Sequence, residues 1–163
     1  MPVMQKYSPA QLVARTLNRI LSDSITSYTY VDFCAGAGGP TPFIEADLNT
    51  NLSARESKSP TEFINGNTSA APKSPRTVTT KVDGPVKFVL TDLHPHIPDW
   101  TKASSKSDNL TFVGKPVDAA NAPNDLVESG KVFRLYNLAF HHFDDPLAKA
   151  ILKNTLQTSE GFG

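Results

Sequence analysis

Apolar residues recur along the first fifty positions with two different periods. From 8 to 23 they recur every three or four positions, which predicts an amphipathic helix with Ser8 as its N-cap. Residues 28–34 are rich in aromatic and β-branched side chains, which is typical of a strand. A glycine-rich turn at 36–39 follows, and residues 40–48 have the apolar spacing of a short helix.

The pattern changes abruptly at residues 49–81. Asn, Ser, Thr, Pro and Lys dominate this segment, and its few apolar residues show no period. Such a composition cannot bury enough apolar surface to offset the entropy of ordering, so we predict a solvated, mobile insertion. Ordered signals resume sharply after it, which indicates that the insertion interrupts one domain.

The remaining sequence predicts a parallel α/β sheet. Three further strands are expected, at 85–92, 110–113 and 131–140. Residues 94–108 are polar apart from Trp100, which is interpreted as a hydrophobic anchor, and they predict a loop with a poor helix. A final helix is expected from 145 to 158, with Asp145 as its N-cap. Strands that alternate with helix-length segments favour a parallel sheet, and the 163 residues predict a single domain.

Composition and charge narrow the classes of function. Acidic and basic residues are equal in number, so the formal net charge is zero, which argues against a strongly cationic nucleic-acid binder. The single cysteine, Cys34, permits no intramolecular disulfide and fits a reducing compartment. No apolar run is long enough to span a bilayer, and the N-terminus lacks the apolar stretch of a signal peptide. We therefore predict a cytoplasmic protein without membrane or nucleic-acid partners.

The segment from Asp32 to Gly39 carries the most specific chemistry. A strand leads into a turn whose glycines allow positive φ and close approach of a ligand to the backbone. The turn lacks the third glycine of the dinucleotide-binding fingerprint. Asp32 lies four residues before the first glycine, and an acid there suits a cationic ligand better than a pyrophosphate. The alternatives are a plain strand-to-helix connection and an acid that bonds the N–H groups of its own turn.

This segment closely resembles the first motif of class I S-adenosylmethionine (SAM)-dependent methyltransferases, and fungal small-molecule methyltransferases are the most similar. The resemblance implies a Rossmann-like fold, SAM as cofactor, a small-molecule substrate and a place in fungal secondary metabolism. It also implies cofactor contacts from the residues of the turn, namely Asp32, Cys34, Ala35, Gly36, Gly38 and Gly39. Cys34 itself has no basic neighbour in sequence and is interpreted as a packed residue, not a nucleophile.

Three later segments resemble the family's following motifs in the expected order. The resemblance places Asp92 and Leu93 beside the ribose hydroxyls, and Asp118 and Ala119 beside the adenine. It places Asn137 and Leu138 beside the methionine part of the cofactor. A plain surface acid is the competing interpretation for Asp92 and for Asp118.

The adjacent histidines His141 and His142 are candidates for a general base, because their pKa lies near neutrality. The competing interpretation is that they pack or line the cofactor pocket without titrating. Adjacent histidines point in different directions, and no third ligand falls at a familiar spacing, so we predict no metal site.

The sequence departs from the family in the number of strands. The family's sheet has seven strands in the order 3-2-1-4-5-7-6, whereas four are recognised here, in the order 3-2-1-4. The prediction is therefore a single truncated domain over 1–163 whose fourth strand, 131–140, forms a sheet edge. An apolar edge strand favours pairing with another chain, so we expect a homo- or hetero-oligomer through it.

The resemblance therefore predicts methyl transfer from SAM to a small molecule. In one version of this prediction, the chain is active only in an assembly. Two alternatives stay open: a non-catalytic methyltransferase-like partner subunit, and a SAM-binding enzyme of non-methylating chemistry. A NAD-dependent oxidoreductase is disfavoured by the missing third glycine.

Overall fold

Five parallel strands form one sheet, in the order β3-β2-β1-β4-β5, in the computed structural model, which describes residues 6–57, 84–127 and 130–163. The strands are β1 Tyr28–Asp32, β2 Lys87–Leu90, β3 Leu110–Phe112, β4 Lys131–Leu135 and β5 Gly161–Phe162. The helices are α1 Pro9–Leu21, α2 Thr41–Glu56, α3 Ile97–Ser104 and α4 Asp145–Thr158. The predicted parallel α/β sheet is confirmed, but the predicted order 3-2-1-4 is incomplete.

The centre of the sheet is held by an aromatic row on one face. Tyr30 of β1 is in register with Phe88 of β2 and with Phe133 of β4. Its ring centroid lies 4.9 Å from that of Phe88 and 5.5 Å from that of Phe133. Because side chains alternate along a strand, Val31 and Val89 face the opposite side and pack in a second cluster with Ile151 of α4. The apolar sides of the helices therefore cover both faces of the sheet.

Helix α2 is longer than the sequence predicted. Apolar side chains four residues apart, Ile44, Leu48 and Leu52, are buried along its inner face. The side chain of Asn49 accepts a hydrogen bond from the N–H of Val86 at 2.8 Å and donates to its carbonyl at 3.1 Å. Residues 49–56 of the predicted insertion are thus helical, and its part from residue 58 onward lies outside the described residues.

Two predicted boundaries around the fourth strand are wrong. The strand ends at Leu135 and not at residue 140, and Leu138 adopts a φ of +56°, which is incompatible with an extended chain. The N-cap of α4 is Asp144 and not Asp145, because the Asp144 side chain accepts from the N–H of Leu147 at 2.9 Å.

The fourth strand is not a sheet edge, which corrects the expected site of oligomerisation. The N–H of Glu160 bonds the Val132 carbonyl at 3.0 Å, and the N–H of Gly163 bonds the Arg134 carbonyl at 2.9 Å. A Cβ at Gly161 would lie 2.7 Å from the Phe133 ring, so only glycine lets the chain approach β4 this closely. The sequence of β5 is only Gly161 and Phe162 and has no strand pattern, so packing against Phe133 defines the strand instead.

Arg134 anchors α4 to the sheet and is itself fully buried. Its guanidinium donates to Asn154 Oδ1 at 2.8 Å and to the hydroxyl of Thr158, and it lies 4.4 Å above the Phe33 ring. Within the described part of the chain it forms no ion pair, and its Nε has no hydrogen-bond partner. A buried charge held only by neutral groups is costly, so the fork of hydrogen bonds to α4 must be retained. None of the described helices is both long and apolar enough to cross a membrane.

We predict that Arg134→Lys lowers the free energy of unfolding by at least about 2 kcal/mol, because an ammonium cannot reproduce the planar fork to α4. Urea denaturation measures the loss. Lys149→Ala, on the exposed side of the same helix, is the control and should cost no more than about 0.5 kcal/mol. Equal stabilities of the two variants would show that the fork does not anchor α4.

Candidate functional site

The glycine turn joins β1 to α2 at the carboxyl ends of the strands, where ligands bind in open α/β sheets. Four residues of the turn have positive φ: Cys34 at +60°, Gly36 at +53°, Gly38 at +104° and Gly39 at +47°. Two backbone hydrogen bonds hold the turn. Within it, the N–H of Gly38 bonds the Ala35 carbonyl at 2.8 Å, and the N–H of Ala35 bonds the carbonyl of Thr91, after β2, at 3.0 Å. The turn is therefore rigid before any ligand binds.

Gly36 and Gly38 have different roles. A Cβ at Gly38 would point inward, 3.8 Å from Leu90, Pro42 and Trp100. Glycine is therefore required here by the positive φ of the backbone and not by space for a ligand. A Cβ at Gly36 would meet no atom within 4 Å. The position that faces open space is Gly36, which is where a ligand can approach the backbone closely.

Trp100 of α3 holds the turn from below. Its side chain is completely buried, and its Nε1 donates to the Gly36 carbonyl at 2.8 Å. The sequence predicted only a hydrophobic anchor at this position. A single Trp in a polar segment indicates a buried anchor, but its hydrogen bond to Gly36 depends on the fold and cannot be seen in the sequence.

Asp92 follows β2 and lies directly across from the turn. One carboxylate oxygen accepts from the N–H of Gly36 at 2.9 Å, and the other accepts from the N–H of His94 at 2.8 Å. An ionised carboxylate has about four lone-pair positions, so each oxygen retains one for a ligand. The Asp92 side chain is half-buried and its neighbour Leu93 is 51% exposed, which leaves this end of the site open.

Asp118 follows β3 and caps the 3₁₀ turn Ala119–Asn121. Its Oδ1 accepts from the N–H of Ala120 at 2.8 Å, while Ala119 is buried in the core. The N–H of Val117 bonds the Asp92 carbonyl at 2.8 Å, which ties this loop to the second strand. Asp118 is exposed, so its second oxygen remains accessible.

Cys34 shows that the three acids converge. Burial, and after it the charges of Asp92, Asp32 and Asp118 in that order, together raise the pKa of its thiol to about 11. The thiol therefore stays protonated near neutral pH and packs as a small apolar group, as the sequence predicted. Its position between three carboxylates marks the centre of the site.

Asp32 is buried where β1, α2 and β4 meet. Its Oδ2 accepts from the Thr41 hydroxyl, and Thr41 Oγ1 accepts in turn from Asn137 Nδ2 at 2.9 Å. Asp32 Oδ1 is buried and no described residue forms a hydrogen bond with it. The sequence missed Thr41, whose place between Pro40 and Pro42 at the start of α2 was the only signal.

Burial raises the pKa of Asp32 to about 6. Hydrogen bonding from Thr41 and the nearby amides of Asn137 oppose this shift, and the charge of Asp92 adds to it. Asp32 is thus ionised at neutral pH only at a cost to stability. A buried polar atom without a partner and a charge without a counter-ion both suit a ligand that brings positive charge.

The last predicted residues lie at the open rim. Leu138 is 80% exposed. His141 and His142 are exposed on the 3₁₀ turn Phe140–His142, with ring centroids 3.8 Å apart. No hydrogen bond or ion pair among the described residues joins either histidine to the three acids. Their role as a general base therefore stays a prediction.

The charges of the site all have one sign. The ion pairs of the described residues involve Asp23 and Asp99 but none of the three site carboxylates. Across residues 6–57, 84–127 and 130–163, no group of three or more His, Cys, Asp and Glu side chains is arranged to hold a metal ion. The site can therefore accept hydrogen bonds and attract cations, and it repels phosphate.

We predict that stability falls as pH rises from about 4 to about 6, because the native state holds the Asp32 proton more tightly than the unfolded chain. The ionised side chain then costs about 3 kcal/mol at neutral pH. Asp32→Asn should remove this dependence and raise the melting temperature near neutral pH. The exposed Asp108→Asn serves as control. A difference between Asp32→Asn and wild type that stays constant across this pH range would contradict the assignment.

Comparison with known proteins assigns no function to this arrangement. No family model, curated protein or solved structure matches the chain. The function must therefore be argued from the glycine turn, the three carboxylates and the open space beside Gly36.

Proposed function

We propose that this chain binds SAM across the carboxyl ends of β1, β2 and β4 and transfers its methyl group to a small molecule. The observation that carries the proposal is the convergence of Asp32, Asp92 and Asp118 on a glycine turn with no cationic partner among the described residues. SAM has an ammonium, a sulfonium and a ribose diol, and it has no phosphate. Its chemistry complements an anionic crevice.

The same features argue against a dinucleotide. A pyrophosphate needs free N–H groups at a helix N-terminus. At the start of α2, the N–H of Thr41 is bonded to the Gly38 carbonyl at 3.2 Å, and Pro42 has no N–H. The N–H of Gly36 is bonded to Asp92. Three carboxylates would also repel the phosphates, so a nicotinamide cofactor fits this site poorly.

Each part of SAM has a complementary group in the proposed site. The free lone pairs of Asp92 suit the two ribose hydroxyls, because a carboxylate accepts two such bonds strongly. The exposed oxygen of Asp118 suits the amino group of adenine. The open space above Gly36 lets the ligand lie against the backbone. Asn137, two residues after β4, is left for the amino-acid portion.

The protein's contribution to the reaction is mainly positioning. SAM, when bound, supplies an electrophilic methyl group. The rigid turn and the three acids hold the ligand in one place, and alignment of a nucleophile can then supply most of the rate. His141 and His142 are exposed, and in this proposal one of them contacts the substrate and takes its proton.

A second candidate function is SAM binding without transfer, as a subunit of a larger assembly. It is favoured by an apolar groove of about 870 Å³ beside Asn137 and Leu138, bordered by α1, the end of α4 and β5. Leu156 and Phe162 are 71% and 47% exposed there. Methyl-labelled SAM distinguishes the two candidates, because the label moves to an acceptor only in the first.

We predict that Gly36→Leu abolishes binding of S-adenosylhomocysteine, because its side chain enters the open crevice. Leucine is unbranched at Cβ, which limits its strain at positive φ. Gly84→Leu is the matched control: Gly84 also has positive φ (+79°) and open space, but it precedes β2, at the amino ends of the strands and opposite the turn. Calorimetric titration should show normal affinity for the control only. Absence of binding by the wild type would overturn the proposed function.

We also predict that Asp92→Asn weakens this binding by about 1.5–3 kcal/mol, because an amide has one acceptor oxygen where the carboxylate has two. Once that oxygen accepts from Gly36 or His94, it keeps one free lone pair, whereas the carboxylate keeps two. Asp108→Asn changes the same charge on the surface and should leave the affinity within about twofold. Equal affinities of the two variants would make Asp92 a structural clasp of the turn and not a ribose ligand.

A further inference from the structure

A chain of three polar side chains crosses from the core to the surface of the site. It begins at Asp32, which is 1% exposed, and continues through the completely buried Thr41 to the half-buried Asn137. The links are Thr41 Oγ1 to Asp32 Oδ2, and Asn137 Nδ2 to Thr41 Oγ1 at 2.9 Å. The three residues come from β1, from α2 and from the segment after β4, so the chain exists only in the folded protein.

The direction of these hydrogen bonds follows from the chemistry of the groups. An ionised carboxylate only accepts, so the single hydroxyl proton of Thr41 must be donated to Asp32. The Thr41 oxygen can then only accept from Asn137, which must turn its NH₂ inward. The amide is planar, so its carbonyl oxygen faces away from Thr41, and no described residue donates to it.

We propose that Thr41 is a positioning residue that turns the Asn137 carbonyl oxygen toward the ligand, where it receives the ammonium of the ligand's amino-acid portion. This inference rests on the proposed function. A free acceptor next to a buried, unpaired carboxylate favours a donor with positive charge, because the charge gains from both groups. An amide with the opposite orientation would present its NH₂ to the ammonium and repel it.

Protonation of Asp32 would reverse the chain. A protonated carboxyl can donate to Thr41, whose hydroxyl can then donate to the Asn137 oxygen and turn the amide around. Among the described residues, the charged group that acts on Asp32 is Asp92 from the end of β2, and the thiol of Cys34 from the turn stays neutral. Neither supplies positive charge, so the ammonium of the ligand would offset the cost of the ionised carboxylate.

The test uses the full chain and two ligands that differ in one portion. S-adenosylhomocysteine carries the amino-acid portion, and 5′-methylthioadenosine lacks it. Thr41→Val removes the hydroxyl and nearly keeps the shape, whereas Thr41→Ser keeps the hydroxyl. We expect Thr41→Val to weaken binding of S-adenosylhomocysteine about tenfold or more and to leave methylthioadenosine within about twofold. Thr41→Ser should bind both ligands like the wild type.

Asn137→Ala provides an independent arm, because it removes the carbonyl at the surface and leaves the buried pair in place. It should produce the same selective loss, which also decides the matter if Thr41→Val does not fold. Equal loss of both ligands in these variants would mean a structural role and would overturn the inference. So would unchanged affinities, although the proposed function would then stand. A wild type that binds neither ligand would overturn both.

Discussion

The carboxylate of Asp32 is the constraint on which the site depends. It lies at the end of the first strand and is buried where α2 and the segment after the fourth strand meet, with Thr41 of α2 and Asn137 of that segment beside it. An ionised side chain in such a place opposes folding unless its surroundings compensate it, and here the compensation is partial. One oxygen accepts from Thr41, and no described residue bonds the other. The described residues also supply no counter-ion, which is the electrostatic basis of the proposed cationic ligand.

The rigidity of the turn follows from contacts made far along the chain. Trp100 bonds the carbonyl of Gly36, and Asp92 bonds its N–H, so the two peptide groups on either side of the Gly36 Cα are both fixed by later elements. The Cβ direction of Gly36 is left open, whereas that of Gly38 is directed into the core. The crevice is therefore shaped by the packing of α3 and the second strand as much as by the glycines themselves.

The far side of the sheet depends on a different charge. Arg134 is buried among neutral acceptors and an aromatic ring, and it holds α4 over the fourth strand. The loop that leads from this strand to α4 carries Asn137 and the two histidines, so the same anchorage limits where those residues lie. The fifth strand adds to it by pairing along β4, made possible by the missing side chain of Gly161.

The sequence by itself determined the α/β class, the four longer strands, the glycine turn and the acids that end the strands. These features are local: the periods of apolar residues, the aromatic and β-branched runs, and the spacing of Asp32 from Gly36 are all visible in short windows. The predicted boundaries of α2 and of the fourth strand were less accurate. Asn49 is bonded to the distant Val86, and Leu138 has a positive φ, and neither feature is visible in the local sequence.

Only the tertiary structure decided the fifth strand, the role of Trp100 and the chain from Asp32 through Thr41 to Asn137. Gly161 and Phe162 are too few to form a strand pattern, and it is the ring of Phe133 that seats them. Thr41 and Asn137 are 96 residues apart, and nothing in either local sequence reveals the other. A hydrogen bond between distant residues exists only after the sheet has assembled, so the orientation of the groups that face a ligand was beyond the reach of any sequence pattern.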